Sequence, residues 1–396
     1  MRKILLFLLT LFVSACVYIG VDESHKQKKV KGSIKDLVQT SIQDGSAIRS
    51  YARHQDIILL KSKIDSENFV MRIFGDSHMA ADFFSRELRS KFIEVNSIGY
   101  IYPLQPKYQQ ILTVSYESKD FELFNSKSNT NFSYAMGGIL AESKKEGAFI
   151  KIASNLKEQN FNIKVFYKAK NKGFVLSDEN KRNYALKKKG DKKFSSIELK
   201  NVKFPIQIKA LEKNAQIGGL LIYKDGYDIK FLDTLGINGA RSDIWLRWDK
   251  DTMKEVFKTV KSDFIILAYG SNDAFLSSFD KNYFKKTYKD FIKFLRQNNK
   301  YVNIMLISPP TVTQKVDDEN YELSPNFYAV REAIYEIAKE ERLMLFDMHN
   351  FMQESGGKDL WIEQGLSLKD VHLSIDGYKL MADKFQKDLK AFLATF

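Results

Sequence analysis

One cysteine occurs in 396 residues, so no disulfide can form within the chain. Five histidines beside it leave little material for a zinc or iron centre, and nothing points to a cofactor. Six prolines and twenty glycines exclude a collagen-like or linker-dominated architecture. Negative charge is the scarcer sign. The chain has 49 Asp+Glu against 62 Lys+Arg, a formal charge of +13. That balance suits nucleic acid, an anionic membrane surface or an acidic polymer, and selects none of them. What the chain does have is apolar material, 44% of its residues with 13% aromatic, which excludes a mostly disordered chain. At roughly 150 residues per domain, the length suggests two or three domains.

The first residues concern the compartment. Arg2 and Lys3 precede an apolar stretch, Ile4 to Val13, broken only by Thr10. It is too short to span a bilayer as a helix and suits a signal peptide over residues 1–15. It runs into Val13-Ser14-Ala15-Cys16, which resembles a bacterial lipobox whose cysteine is lipidated and becomes the first residue. The other reading is ordinary secretion, with Cys16 incidental. If Cys16 carries lipid, no free thiol remains and cysteine catalysis is excluded. Residues 16–33, polar and lysine-rich from 22 on, read as a tether.

Beyond the tether the pattern is interrupted α/β. Ile34, Leu37, Val38, Ser41 and Ile42 share a helical face. Phe69–Phe74 is an apolar strand stopped at Gly75, and Ala80 to Phe92 has a helical period. After residue 230 the alternation resumes. Phe264–Tyr269, Val302–Ile307 and Leu343–Phe346 read as strands; Tyr283–Gln297, Phe327–Glu341 and the stretch through Tyr378, Met381, Phe385, Leu389 and Phe392 read as helices. Strands alternating with helices predict a parallel sheet covered on both faces. Residues 102–232 differ. Short runs such as Ala148–Ala153, Phe161–Tyr167, Phe204–Lys209 and Ile217–Tyr223 are β-rich, with no convincing helical period between them. They predict an all-β domain inserted into an α/β domain of residues 34–101 and 233–396. The lysine-rich stretch 168–193 reads as exposed loops.

Three motifs fall where a parallel sheet binds its ligands, at the carboxyl ends of strands. Gly75-Asp76-Ser77-His78 occupies a strand-to-helix turn. Ser77 there is either a helix cap or a nucleophile whose own N–H faces an oxyanion. Tyr269-Gly270-Ser271-Asn272-Asp273 follows the second strong strand; Asn272 is either an Asx cap or an amide donor. Asp370-Val371-His372 precedes the last helix, where His372 is either a surface histidine or a general base for Ser77.

Together, in this order, the motifs resemble the SGNH (GDSL) hydrolase superfamily. Asp233-Thr234-Leu235-Gly236-Ile237-Asn238-Gly239-Ala240 resembles its second block, with Gly239 a better match than Gly236 for the oxyanion glycine. The resemblance covers residues 69–100 and 231–396 and implies a three-layer hydrolase domain around a parallel sheet. It implies Ser77 as nucleophile, His372 as base and Asp370 as the residue orienting it. Ser77, Gly239 and Asn272 would form the oxyanion hole, with no metal. One departure is the spacing: the family usually has Asp-x-x-His, whereas position 369 is Lys and Asp370 is two residues before His372.

The run from Gly75 to Ser85, the large insert, the export signal and Asp376-Gly377-Tyr378 look like the O-acetylpeptidoglycan esterases of Gram-negative bacteria. That resemblance implies a periplasmic enzyme, lipid-anchored if the lipobox is used. It would remove acetyl groups from the C6 hydroxyl of N-acetylmuramic acid in peptidoglycan. Its insert would be jelly-roll-like, similar to a carbohydrate-binding module, and no nucleic acid would be involved. The competing readings are an exported SGNH lipase or arylesterase with the same catalytic residues, and a non-catalytic glycan-binding lipoprotein.

Overall fold

A computed structural model describes residues 45–396 except 188, 189 and 319. The expected signal peptide, Cys16, the tether and the helix over 34–42 lie outside the described residues. Apart from a small hairpin of Thr313–Lys315 with Tyr321–Leu323, the described strands of the hydrolase domain are β1 (Ile48–Ser50), β2 (Phe69–Gly75), β3 (Lys230–Gly236), β4 (Phe264–Ala268), β5 (Asn303–Ser308) and β6 (Met344–Asp347). They form one sheet in the order β1-β6-β5-β4-β2-β3. Every pairing is parallel except that of β1 with β6.

Alternation along the strands divides the core in two. Phe69, Met71 and Ile73 of β2 face one apolar cluster; Val70 and Phe74 face the other. The first cluster is closed by α1 (His54–Ile64), α3 (Phe83–Lys91) and the C-terminal α10 (Ile375–Leu393), through Leu60, Leu88 and Phe385. The second is closed by α4 (Lys250–Thr259), α6 (Lys281–Asn298) and α7 (Phe327–Glu340), through Phe257, Phe291 and Ile334. The result is the expected three-layer arrangement, with both sheet faces covered by the apolar stripes of helices. Four short helices also belong to the domain: α2 (Ser77–Ala80), α5 (Ser271–Ala274), α8 (Met348–Glu354) and α9 (Gly357–Glu363).

The insert is all β. Its first sheet orders strands Asn183–Leu186, Phe174–Ser177, Ile206–Ala210, Phe149–Ser154 and Val114–Lys119. The second orders Gly190–Lys203, Asn160–Ala169, Gln216–Tyr223, Ile139–Ser143 and Phe121–Asn125. All pairings within both sheets are antiparallel. Rings from the two sheets meet, Tyr167 edge-on to Phe174 with centroids 6.2 Å apart. This is a two-sheet sandwich, the architecture of jelly-roll-like domains.

Three details differ from the sequence reading. Residues 230–232 belong to β3, paired in parallel with Phe69–Met71, while Gly99–Ile101 pairs with Gln216–Tyr223 of the insert. The change of domain therefore comes earlier at both ends than the expected 102 and 232. Residues 168–193 are not only loops. They hold two short strands, with Phe174, Leu176 and Leu186 buried. The lysines lie before, between and after these strands, so composition alone reads as loop. The helix expected over Ala80–Phe92 breaks at Asp82, which has a left-handed φ of 62°. The break turns the Asp82 carboxylate toward the insert, where it accepts the Leu112 N–H at 2.8 Å, and toward Arg89, its ion-pair partner.

A buried ion pair joins the two parts. Arg72 on β2 and Asp233 on β3 are 3.0 Å apart, with side chains essentially sealed from solvent. Asp233 also accepts the Tyr100 N–H of the insert's first strand at 2.7 Å, and Arg72 donates to Ser262 Oγ at 2.9 Å. Burial pushes Asp233 up to about 6 and Arg72 down, so each stays charged because it faces the other. Removing one partner strands a buried charge. Arg72→Met should therefore lower stability by about 3–5 kcal/mol in urea unfolding. A loss under about 1 kcal/mol would show that water reaches Asp233.

Candidate active site

The site forms where three strands end side by side. β2 ends at Gly75, paired with Gly236 at the end of β3 and with Ala268 at the end of β4. Immediately beyond β2, Asp76 caps the single turn α2, its Oδ1 accepting the His78 N–H at 3.0 Å. Ser77 is the first residue of that turn, so its N–H is among those a helix start leaves unspent. Burial pushes the Asp76 carboxyl up to about 6.

Ser77 Oγ lies 3.0 Å from His372 Nε2. His372 Nδ1 lies 3.1 Å from Asp370 Oδ2. The carboxylate at Nδ1 assigns the ring proton there, leaving Nε2 to accept the serine hydroxyl. The two-residue spacing works because Asp370 wraps back over its own loop. Its Oδ1 accepts the His372 backbone N–H at 2.8 Å while Oδ2 receives the ring. The loop is held on both flanks. Leu368 N–H and Ser367 Oγ–H donate to the His372 carbonyl, and Thr313 Oγ1–H donates to the Lys369 carbonyl at 2.6 Å. Ser374 then caps α10 by accepting the Gly377 N–H at 3.1 Å.

The sequence reading gave no role to two groups beside this loop. Lys358 of α9 is buried, and its ammonium donates to the Asp370 carbonyl. Burial pushes its pKa down to about 8 against the pull of Asp370. Asp370 itself is raised by burial, but the hydrogen bonds and charge of His372, with Lys358 behind, carry it below the usual carboxylate range. His78 is the second. Its ring lies below that of His372, centroids 6.0 Å apart, and its Nδ1 is 3.0 Å from the Tyr378 hydroxyl. Burial, helped by the charges of His372 and Lys358, pushes His78 down to about 3, so it is neutral near pH 7. No spacing rule marks either residue, because both act across elements distant in sequence.

The remaining expected residues lie on two adjoining loops. Gly239 has a left-handed φ of 73°, which glycine adopts without strain. Gly236, the poorer match, is the last residue of β3. The loop after it is tied to the serine turn by Ile237 N–H donating to the Gly75 carbonyl at 3.1 Å. Asn272, in α5, donates one amide hydrogen to the Ala240 carbonyl at 3.0 Å, fixing the Ala240–Arg241 peptide that follows Gly239 and keeping a second hydrogen for another acceptor. Next to it, Asp273 accepts from the Ser242 hydroxyl at 2.8 Å and from the Ser242 N–H. Burial pushes Asp273 up to about 7. Ser77, His372 and Asp370 thus form one hydrogen-bonded chain, and Asn272 is tied at Ala240 to the Gly239 loop, which Ile237 ties to the serine turn.

A hydroxyl, an imidazole and a carboxylate in series can activate the hydroxyl as a nucleophile. Lys358 is not in that chain; it holds the backbone that Asp370 must fold across. Lys358→Met should lower kcat toward 4-nitrophenyl acetate about tenfold with KM little changed, and Lys358→Arg should recover part of it. An unchanged kcat in the methionine variant would show that the loop holds without the ammonium.

Both parts of the chain resemble known proteins. The GDSL-like Lipase/Acylhydrolase family matches over residues 220–380. The family described as Peptidoglycan O-acetylesterase, N-terminal, matches over residues 97–207, within and just before the sandwich. The structure is similar to that of a peptidoglycan O-acetylesterase, with 22% identity and a TM-score of 0.75 over 89% of this chain and 100% of that one. An acetyl xylan esterase is similar at 21% identity and a TM-score of 0.32, over 40% of this chain and 80% of that one. A lipase/acylhydrolase from Enterococcus faecalis is similar at 18% identity and a TM-score of 0.30, over 41% of this chain and 76% of that one. No curated protein matches. The chain thus joins a region that matches the GDSL-like acylhydrolases to one that matches the N-terminal domain of the peptidoglycan O-acetylesterases, and the two matches support an acetylesterase of the SGNH type.

Proposed function

We propose that this chain is an exported serine esterase that removes acetyl groups from the C6 hydroxyl of N-acetylmuramic acid in peptidoglycan. The observation that carries the proposal is the unbroken hydrogen-bond chain Asp370–His372–Ser77, at 3.1 and 3.0 Å, beside the loops of Gly239 and Asn272. The match of the insert to the peptidoglycan O-acetylesterase N-terminal domain supports the wall polymer as substrate.

In the first half-reaction, Ser77 Oγ attacks the acetyl carbonyl carbon while His372 Nε2 takes the serine proton. The carbonyl oxygen becomes an oxyanion, met by the N–H groups of Ser77 and Gly239 and by the second amide hydrogen of Asn272. Losing one such donor typically costs about 10²–10³ in rate. The intermediate collapses by breaking the bond to the sugar oxygen, to which His372 returns the proton. Acetyl remains on Ser77 as an ester. In the second half, His372 takes a proton from water, whose oxygen attacks that ester; Ser77 leaves with the proton and acetate is released. Asp370 keeps the imidazole in the tautomer that accepts at Nε2 and stabilises the imidazolium formed twice per cycle.

The N-terminal sequence supports export, and Val13-Ser14-Ala15-Cys16 supports a lipid on Cys16 that tethers the enzyme in the periplasm. Acetate release from O-acetylated wall material tests the function. The wild type should release acetate, and Ser77→Ala should lose essentially all of it while keeping its unfolding free energy to within about 0.5–1.5 kcal/mol, the worth of the lost Ser77–His372 hydrogen bond. Ser77→Ala activity within tenfold of wild type, or a wild-type preference for long-chain esters over wall acetate, would contradict it.

A further inference from the structure

The insert sends one cation to the oxyanion loop. Lys127 is in the turn between strands Phe121–Asn125 and Ile139–Ser143. The turn is fixed from within and from the hydrolase domain. Lys127 N–H donates to Asn125 Oδ1 at 2.8 Å, Asn129 N–H to the Asn125 carbonyl at 2.9 Å, and Ser126 N–H to the Gly138 carbonyl at 2.8 Å. Across the domain junction, Arg247 donates to the carbonyls of Ser126 and Lys127, the latter at 2.9 Å.

From that clamped backbone the Lys127 side chain runs over Gly239. A Cβ built on Gly239 would collide with its ammonium and its Cε. Glycine at 239 thus serves both the left-handed φ and the passage of a lysine stem. Among the described residues no carboxylate lies within ion-pair distance of the Lys127 ammonium. The neighbouring Arg241, by contrast, is paired with Asp243 at 3.1 Å. An exposed lysine is ordinarily just solvated. This one is anchored at its backbone, packed on the loop that bears an oxyanion donor, and left with its charge unneutralised.

An acetyl ester is neutral, but the muramic acid that bears it is not isolated. Its lactyl group carries a peptide stem with free carboxylates, which stand beside the sugar. We propose that Lys127 forms an anion subsite that binds a carboxylate of the substrate's peptide stem and so helps align the sugar's acetyl group over Ser77. This rests on the peptidoglycan reading of the site. It makes the insert a direct contributor to substrate choice, and it explains why the turn is bolted to the hydrolase domain by Arg247.

The test compares O-acetylated muropeptides with free carboxylates against the same muropeptides after their carboxylates are amidated. Acetate release is measured for the wild type, Lys127→Ala and Lys127→Arg. On the charged substrate Lys127→Ala should lower kcat/KM about tenfold, mainly through KM, and Lys127→Arg should keep most of the activity. On the amidated substrate the wild type should fall to the alanine variant's level, and the two should then differ by less than about twofold. Added salt should slow the wild type more than Lys127→Ala on the charged substrate. An equal loss on both substrates would mean that Lys127 acts on the reacting ester, and no loss on the charged one would mean that it is only solvated; either result overturns the subsite alone. A wild type that releases no acetate from either substrate overturns the peptidoglycan reading and the subsite with it.

Discussion

The site depends on how closely backbone passes backbone where β2 and β3 end. Gly75 and Gly236 are register partners, the last residues of their strands. A Cβ on Gly236 would overlap the backbone of Met79 and Ala80, and one on Gly75 would meet the Met79 side chain and the Ala268 carbonyl. Without those side chains, α2 settles directly on the strand ends. That placement puts Ser77 over the sheet and brings the loop after β3 near enough for Ile237 to bond to Gly75. A side chain at 236 would push the serine turn and the Gly239 loop apart, and their donors would no longer converge. Catalytic groups misplaced by even an ångström lose much of their effect.

The insert is built into this arrangement. Tyr102 donates its hydroxyl to the Gly236 carbonyl at 3.0 Å, and Asn238 donates its amide to the Tyr108 carbonyl at 3.1 Å. Gln110 N–H reaches the Ala80 carbonyl at 3.0 Å, and Asp82 holds Leu112. Below them, Asp233 binds Arg72 on one side and Tyr100 on the other. The backbone around the serine turn and the Gly239 loop therefore takes hydrogen bonds from both domains. A domain attached only by a linker would leave those polar groups to water; here they help to fix the loops.

Much of this was readable in the sequence because it depends on local pattern. An apolar run ending in Gly75 and a change to helical period describe a strand-turn-helix wherever they occur. The ordered motifs at 75–78 and 270–273 placed Ser77 and Asn272 just beyond strand ends, where the structure has them, and the one at 370–372 placed His372 in the loop before the last helix. What escaped depends on contacts between distant segments. The break at Asp82 is invisible to periodicity because its cause is Leu112 and Arg89. The short strands within 168–193 are hidden by the lysines of the segments that flank them. The reach of Asp370 to His372 looked doubtful from spacing alone, since the loop's closure depends on Lys358, Thr313 and Ser367. Arg72 passed unremarked within an apolar strand, because its partner, Asp233, is far along the chain.

The central claim is a covalent one: acetyl passes through Ser77. Rapid acid quenching during turnover of O-acetylated muropeptide, followed by peptide mass analysis, reads it directly. The account predicts one acetyl group on the peptide containing Ser77 in the wild type, disappearing once substrate is exhausted. His372→Ala should prevent its formation. Acetate release with no acetylated peptide at any quench time, or with the acetyl group on another residue, would contradict the account.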